Sequence, residues 1–191
     1  LTSQVEAIGV SDAYAGYKMT TRRSMERVNE EIINYDLVED VIKLVTSKEA
    51  GMNDNLVAPD GADMSSGSIL IFLPGLGEIR ALIERLEGSR LFRDRQKFDL
   101  IPLHSTLSSK DQRRAFLPSK PGCRKIICAT NIAETSVTIP DVVCVLDTGR
   151  VREVRRNKRT SSSMLVTDWV PRSSSKQRQG RAGRVQSGIC K

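Results

Sequence analysis

The sequence predicts an α/β domain, with a mostly parallel β-sheet flanked by helices on both faces and a projecting basic β-hairpin. Three observations predict it. Between residues 68 and 149, short apolar runs alternate with segments of helical periodicity. Those runs are too short for buried helices, and turn residues follow them, as for strands of a buried parallel sheet. Hydrophobic residues make up 39% of the 191, enough for a core and against disorder as the dominant state.

The elements follow in order. Residues 1–35 form a lead-in, loose or partly extended, to which no function is assigned, and residues 36–191 form the domain. From Asp36, with Glu39 as a capping pair, Leu37, Val41, Leu44 and Val45 mark one face of a helix. Residues 48–67 are dense in Gly, Asn, Asp, Ser and Pro and read as a long flexible loop. Ser68 to Leu73 is a central strand ending at Pro74-Gly75; Leu76, Ile79, Leu82, Ile83 and Leu86 then stand at helical spacing. Phe98 to Leu103 is a second strand, and Ser108 with Asp111 caps a short helix through Phe116. Lys125 to Ala129 and Val142 to Leu146 complete the succession.

In such sheets ligands bind at loops beyond the carboxyl ends of the strands. Pro74-Gly75, His104-Ser105-Thr106, Thr130-Asn131 and Asp147-Thr148-Gly149 fall there. After Arg150, Val151, Val154, Met164, Val166 and their polar neighbours suggest two strands around the turn-rich residues 157–163, as in a hairpin. Ser173 to Arg184 reads as a helix carrying two glycines.

Lys plus Arg number 30 and Asp plus Glu 23, a net charge of +7. Residues 150–184 hold eleven of those cations against only Glu153 and Asp168, so a basic patch sits on a near-neutral body and suits a polyanion. With eight aromatics in the chain, a stacking platform for bases is excluded and contact with the polyanion's backbone is expected. Four cysteines without a C-x-x-C pair and one histidine give no zinc framework. No apolar run approaches the ~18 residues of a membrane span, and no signal peptide is recognisable, so we expect no membrane partner and an intracellular location, cytoplasmic or nuclear. The chain begins at Leu1 and stops as an apolar run starts at Ile189, which we read as a piece of a longer protein.

The most informative stretch is Gln177-Arg178-Gln179-Gly180-Arg181-Ala182-Gly183-Arg184. On a helix, Gln177, Arg181 and Arg184 share one face, and guanidinium forks suit phosphoryl oxygens. Arg178 falls on another face and reads as structural. A solvated basic helix is the alternative for the octet taken alone.

The octet QRQGRAGR, preceded by ATNIAETSVTIPDVVCVLDTG (residues 129–149) and ILIFLPGLGEI (residues 69–79), resembles motifs VI, V and IV of the DEAH-box/RNA helicase A family of superfamily 2 helicases. The segments INYDLVEDVIK (residues 33–43) and PLHSTLSSKDQRRAF (residues 102–116) fit the same family. The resemblance implies a three-layer RecA-like domain, the second motor lobe of an ATP-dependent RNA helicase. No G-x-x-x-x-G-K-[ST] phosphate loop and no Asp-Glu metal pair occur, so the chain alone is expected to be inactive. ATP and Mg²⁺ would be held mainly by a first RecA-like lobe of the same protein.

Carried over by motif position, the resemblance implies catalytic roles for Gln177, Arg181 and Arg184, with the arginines stabilising charge on the γ-phosphoryl group. Ser136 and Thr138 of motif V approach ATP. Thr130 contacts an RNA phosphate, as do Gly75, Ser105 and Thr106 at neighbouring strand ends. Arg152, Arg155, Arg156 and Arg159 give the hairpin its hold on single-stranded or partly duplex RNA. Glu134 in the motif V loop is open between an ion-pair role and a ligand role, and His104 reads as packed or hydrogen-bonded. Many relatives place an aspartate directly after Thr-Ile; here Pro140 stands there and Asp141 follows, so weak discrimination among nucleoside triphosphates is expected. An RNA-binding or scaffold lobe without turnover, and a DNA-directed motor, are the competing readings.

Overall fold

The computed structural model describes residue 29 and residues 31–46, 67–135, 138–156, 162–182 and 189–190. The chain divides into two compact units after Asp36, and the second holds the sheet. The described elements, in chain order, are α1 (Tyr35–Thr46), β1 (Ser68–Phe72), α2 (Leu76–Gly88), β2 (Phe98–Leu103), α3 (Ser109–Phe116) and β3 (Arg124–Ala129). There follow α4 (Ile132–Thr135), β4 (Val142–Asp147), β5 (Arg150–Arg156), β6 (Ser163–Trp169), α5 (Arg172–Gln179) and β7 (Ile189–Cys190). The strands order as β2-β3-β1-β4-β7, every ladder parallel, and β5 with β6 forms a separate antiparallel pair. Both the parallel sheet and the hairpin expected from the sequence are present.

Burial explains the apolar runs. Every residue of β1 and β3 is buried, because these central strands are covered on both faces. On one face Leu70, Phe72, Ile101, Leu103, Ile127 and Val145 pack with Ala115 of α3 and Ala133 of α4. Alternation turns Ile69, Ile71, Ile126 and Cys128 to the other face, and α2, burying Ile79, Leu82 and Leu86, packs on β2 and β3. Each such side chain contributes about 1.5–3 kcal/mol on burial. Pro102 lies on the edge strand β2, where a missing donor costs no ladder bond on the open side.

Cys123, Cys128 and Cys144 form no disulfide, and burial pushes the Cys128 thiol up to about 12, so it is an inert core residue. No helix among the described residues is long and apolar enough to cross a membrane.

Two local expectations need correction. In α1 the buried positions are Glu39, Ile42 and Val45, while Leu37 and Leu44 are exposed. A charged residue took the inward position because it has partners: Glu39 Oε2 accepts from Arg85 Nε of α2 at 2.6 Å, and Oε1 lies 2.9 Å from Lys43 Nζ. The second correction concerns the motif VI helix, which ends at Gln179; the Gly180 N–H donates to Lys176 O at 3.1 Å and a turn follows through Ala182. The helix thus ends at the first glycine of the octet, whose φ of −68° is open to any residue, instead of carrying it inside. The capping pair of α3 is as expected, with Ser108 Oγ accepting from the Asp111 N–H at 3.2 Å.

At the amino ends of the strands, Lys125 is buried, its Nζ 3.0 Å from Asp141 Oδ1 and donating to Ala115 O at 3.2 Å and to Leu117 O. Asp141 also accepts from Ser119 Oγ at 2.7 Å. Burial pushes the Asp141 carboxyl pKa up, and hydrogen bonds from Ser119, Lys125 and Ser68 outweigh that push, leaving it below the ordinary carboxylate value. A carboxyl depressed in the folded state contributes stability that is present above its unfolded pKa and lost as pH falls through the folded one. In urea unfolding series, Asp141→Asn should therefore flatten the loss of stability below about pH 4. An acid limb identical to the parent's would exclude Asp141 as a contributor.

Candidate functional site

The carboxyl ends of β1, β2, β3 and β4 form one rim. Neighbouring ends are knitted together by backbone bonds: the Leu73 N–H donates to Ala129 O at 2.8 Å, and the Thr130 N–H to Leu103 O at 3.2 Å. Thr148 Oγ1 donates to Phe72 O at 2.8 Å, which joins the β4 end to the β1 end. Gly75, Ser105, Thr106 and Thr130 thus stand on adjacent loops of one edge. Ser105 and Thr106 are exposed, whereas Thr130 is buried. His104 Nδ1 accepts from the Thr106 N–H at 3.2 Å and lies 2.8 Å from the Thr106 hydroxyl, a local hydrogen-bonding role.

Gly75 leaves room for two side chains over its Cα. A Cβ there would lie 2.5 Å from Arg152 Nη1 and 2.9 Å from Glu78 Oε2. That space is filled by a fork-to-fork pair, Arg152 Nη2 donating to Glu78 Oε1 at 2.6 Å and Nη1 to Oε2 at 3.2 Å. Arg152 Nε donates to Thr167 Oγ1 at 3.0 Å across the hairpin. The pair fastens β5 to the first turn of α2.

Further out, Arg155 pairs with Asp168, and Arg156 is exposed. Arg150 lies over the Trp169 ring, 3.7 Å from its centroid, where the two face each other in the ladder. Trp169 also covers Gly149, whose φ of +71° makes the left-handed turn into the hairpin, so it anchors the hairpin's base. Val154 and Leu165 are opposite one another and exposed.

Beneath the rim sits Arg178, completely buried. Its Nε donates to Glu134 Oε1 at 2.8 Å, and its Nη1 to Asp147 Oδ1 at 2.8 Å and to Arg150 O at 3.2 Å. Its Cζ stands 4.9 Å from the Phe72 ring centroid. A guanidinium without water is stable only against such partners, here two carboxylates that are each 11% exposed.

Of the residues singled out in the sequence, Ser136, Arg159 and Arg184 lie outside the described residues. Thr138 is exposed just before β4. Gln177 is exposed and Arg181 buried, and the helix that would have aligned them ends at Gln179. Arg178 and Glu134 are joined as an ion pair, the structural reading of the first and one of the two readings of the second. Asp147 as the second carboxylate, and the Glu78 clamp on Arg152, were not foreseen. Asp147 carried a faint signal, since a carboxylate closing the apolar run VVCVLD needs a partner. Asp141 lies at the amino end of β4, away from the rim, held by Lys125 and Ser119.

Known proteins give the same assignment. The chain is 42% identical over 177 residues to the ATP-dependent RNA helicase dhx29 of Xenopus laevis, covering 93% of the chain and 12% of that protein. It is 37% identical over 190 residues to the DExH-box ATP-dependent RNA helicase DExH1 of Arabidopsis thaliana, 100% of the chain and 18% of that protein. The chain thus spans less than a fifth of either relative's length. Among solved structures, the Escherichia coli DExH-box NTPase HrpB matches with a TM-score of 0.59 and 46% identity over 65% of this chain and 15% of that one. The fold of this chain is RecA-like, a parallel sheet between helices with a separate hairpin. Residues 52–186 match the helicase conserved C-terminal domain, and the chain belongs to that family, with DEAH/DExH-box helicases as its relatives.

Proposed function

We propose that the chain is the second motor lobe of an ATP-dependent RNA helicase. The observation that carries this reading is the rim: motif V, the motif VI segment and the root of the basic hairpin converge on adjacent strand ends, joined by Arg178. Such a rim can meet a triphosphate on one side and a polynucleotide backbone on the other. In this reading Arg181 and Arg184 stabilise charge on the γ-phosphoryl group, Gln177 orients phosphate or the attacking water, and Ser136 and Thr138 flank the nucleotide. Exposed Ser105 and Thr106 line the backbone path of the RNA, with buried Gly75 and Thr130 behind them on the neighbouring strand ends.

ATP would be held mainly by a first RecA-like lobe, together with Mg²⁺; among the described residues no three His, Cys, Asp or Glu converge on a metal site. By itself the chain would turn over no ATP. With Asp141 engaged by Lys125, motif V offers the ribose no carboxylate from that position, in keeping with weak discrimination among nucleoside triphosphates.

The hairpin's cations are not equivalent. Arg156 is exposed and Arg155 is paired with exposed Asp168, a water-screened pair that yields to a phosphate. Arg152 reaches RNA only by giving up Glu78. In the full-length protein, Arg155→Ser, Arg156→Ser and Arg159→Ser together should weaken single-stranded RNA binding and impair unwinding, with RNA-free ATP hydrolysis nearly intact. The log-log salt dependence of binding should become shallower by about 0.7 per lost contact, hence about 2 for all three. Unchanged slope and unwinding would make the hairpin a bystander. A parent protein that hydrolyses no ATP with or without RNA would leave the scaffold reading.

A further inference from the structure

We propose that Arg178 is a positioning residue that couples RNA engagement to ATP hydrolysis, by holding motif V, the hairpin root and the motif VI segment in one buried ion-paired cluster. The inference rests on the motor-lobe reading above and assigns the coupling to three side chains of this chain.

The cluster is built so that its members move together. Glu134 belongs to the turn that begins at Thr130, where the Ala133 N–H donates to Thr130 O at 3.2 Å and the Glu134 N–H to Asn131 O at 2.9 Å. Asp147 Oδ1 accepts from Arg178 Nη1 at 2.8 Å and from the Gly149 N–H at 2.9 Å, so it fixes the left-handed turn into the hairpin. Arg150 O, one residue on, accepts from the same Nη1 at 3.2 Å. Arg178 lies on the last turn of α5, and the Arg181 N–H donates to its carbonyl at 3.0 Å, so the segment leading to the proposed arginine fingers hangs from its backbone.

Well-packed neutral residues in place of Arg178, Glu134 and Asp147 together would fill this site about as stably, since a whole buried ion cluster often loses to such a replacement. What ions add is direction. The three bonds to Glu134, Asp147 and Arg150 leave the guanidinium plane one orientation, so displacing the RNA-facing loop or the hairpin root displaces the finger-bearing segment. A contiguous element that both sites bias is the physical requirement for coupling.

The test uses the full-length protein, ATP and a single-stranded oligouridylate. Arg178→Lys keeps the charge but not the fork, and Asp147→Asn keeps the shape but not the charge. For each variant, turnover with and without saturating RNA is measured, with RNA affinity, ATP KM and thermal unfolding as companions. The ratio of RNA-stimulated to RNA-free turnover should fall about tenfold or more in both variants, while RNA Kd and ATP KM stay within about threefold. Equal loss of stimulated and RNA-free turnover, or a ratio within about twofold of the parent, would overturn the proposal and leave Arg178 a stability residue only. Should Arg178→Lys fail to fold, Asp147→Asn and Glu134→Gln decide on the same ratio. A parent without RNA stimulation would sink the motor-lobe reading itself, an outcome distinct from variants that keep the parent's stimulation.

Discussion

Arg184→Ala in the full-length protein should lower ATP turnover by about 10³–10⁵-fold while changing ATP affinity far less. An arginine finger acts on charge that develops as the γ-phosphoryl group transfers, so its removal is felt in kcat more than in ground-state binding. Arg181 is assigned the same task and is a harder position to test, because it is buried and its neighbour Ala182 packs against the core cluster. Arg181→Lys is the informative change there, retaining charge and much of the volume but losing the bidentate fork. Steady-state kinetics at saturating ATP check both. Unchanged kcat in Arg184→Ala would reassign that residue to structure, and full activity in Arg181→Lys would show that a point charge suffices.

How much of this was legible in the sequence depended on the kind of interaction. The apolar runs SILIF, RKIICA and VVCVLD carry their positions in their composition, because a strand covered on both faces needs apolar residues along its length. The hairpin was legible from two short segments of mixed apolar and polar residues on either side of a turn-rich centre. Helix α1 was misread because periodicity weighs Leu37 and Leu44 as inward and Glu39 as outward, and only the distant Arg85 and the neighbouring Lys43 reverse that. The sequence predicts too long a motif VI helix because propensity alone does not mark its end at Gln179. At the rim, residue identities came from motif resemblance, but the partners did not. Glu134–Arg178, Asp147–Arg178 and Glu78–Arg152 join residues separated by 44, 31 and 74 positions, and no local pattern encodes such distances.

The same cluster sets the largest stability effect expected in the chain. Arg178→Met should lower the free energy of unfolding by about 3–5 kcal/mol, the cost of stranding buried charge. Glu134 and Asp147 would be left without their cation at 11% exposure each, and Arg150 O would lose that donor. If stranded charge is the cause, neutralising it should repair the damage: adding Glu134→Gln and Asp147→Asn to Arg178→Met should recover most of the loss, because a packed neutral site is often as stable as a buried ion triad. If lost packing of the arginine stem is the cause, the added changes will lower stability further. Urea unfolding separates the two through the midpoint, provided the slope stays constant. The repaired triple variant then has a second use, because it is a folded protein without the ion cluster. It should hydrolyse ATP at a rate that RNA no longer raises, which separates what the cluster does for stability from what it does for coupling.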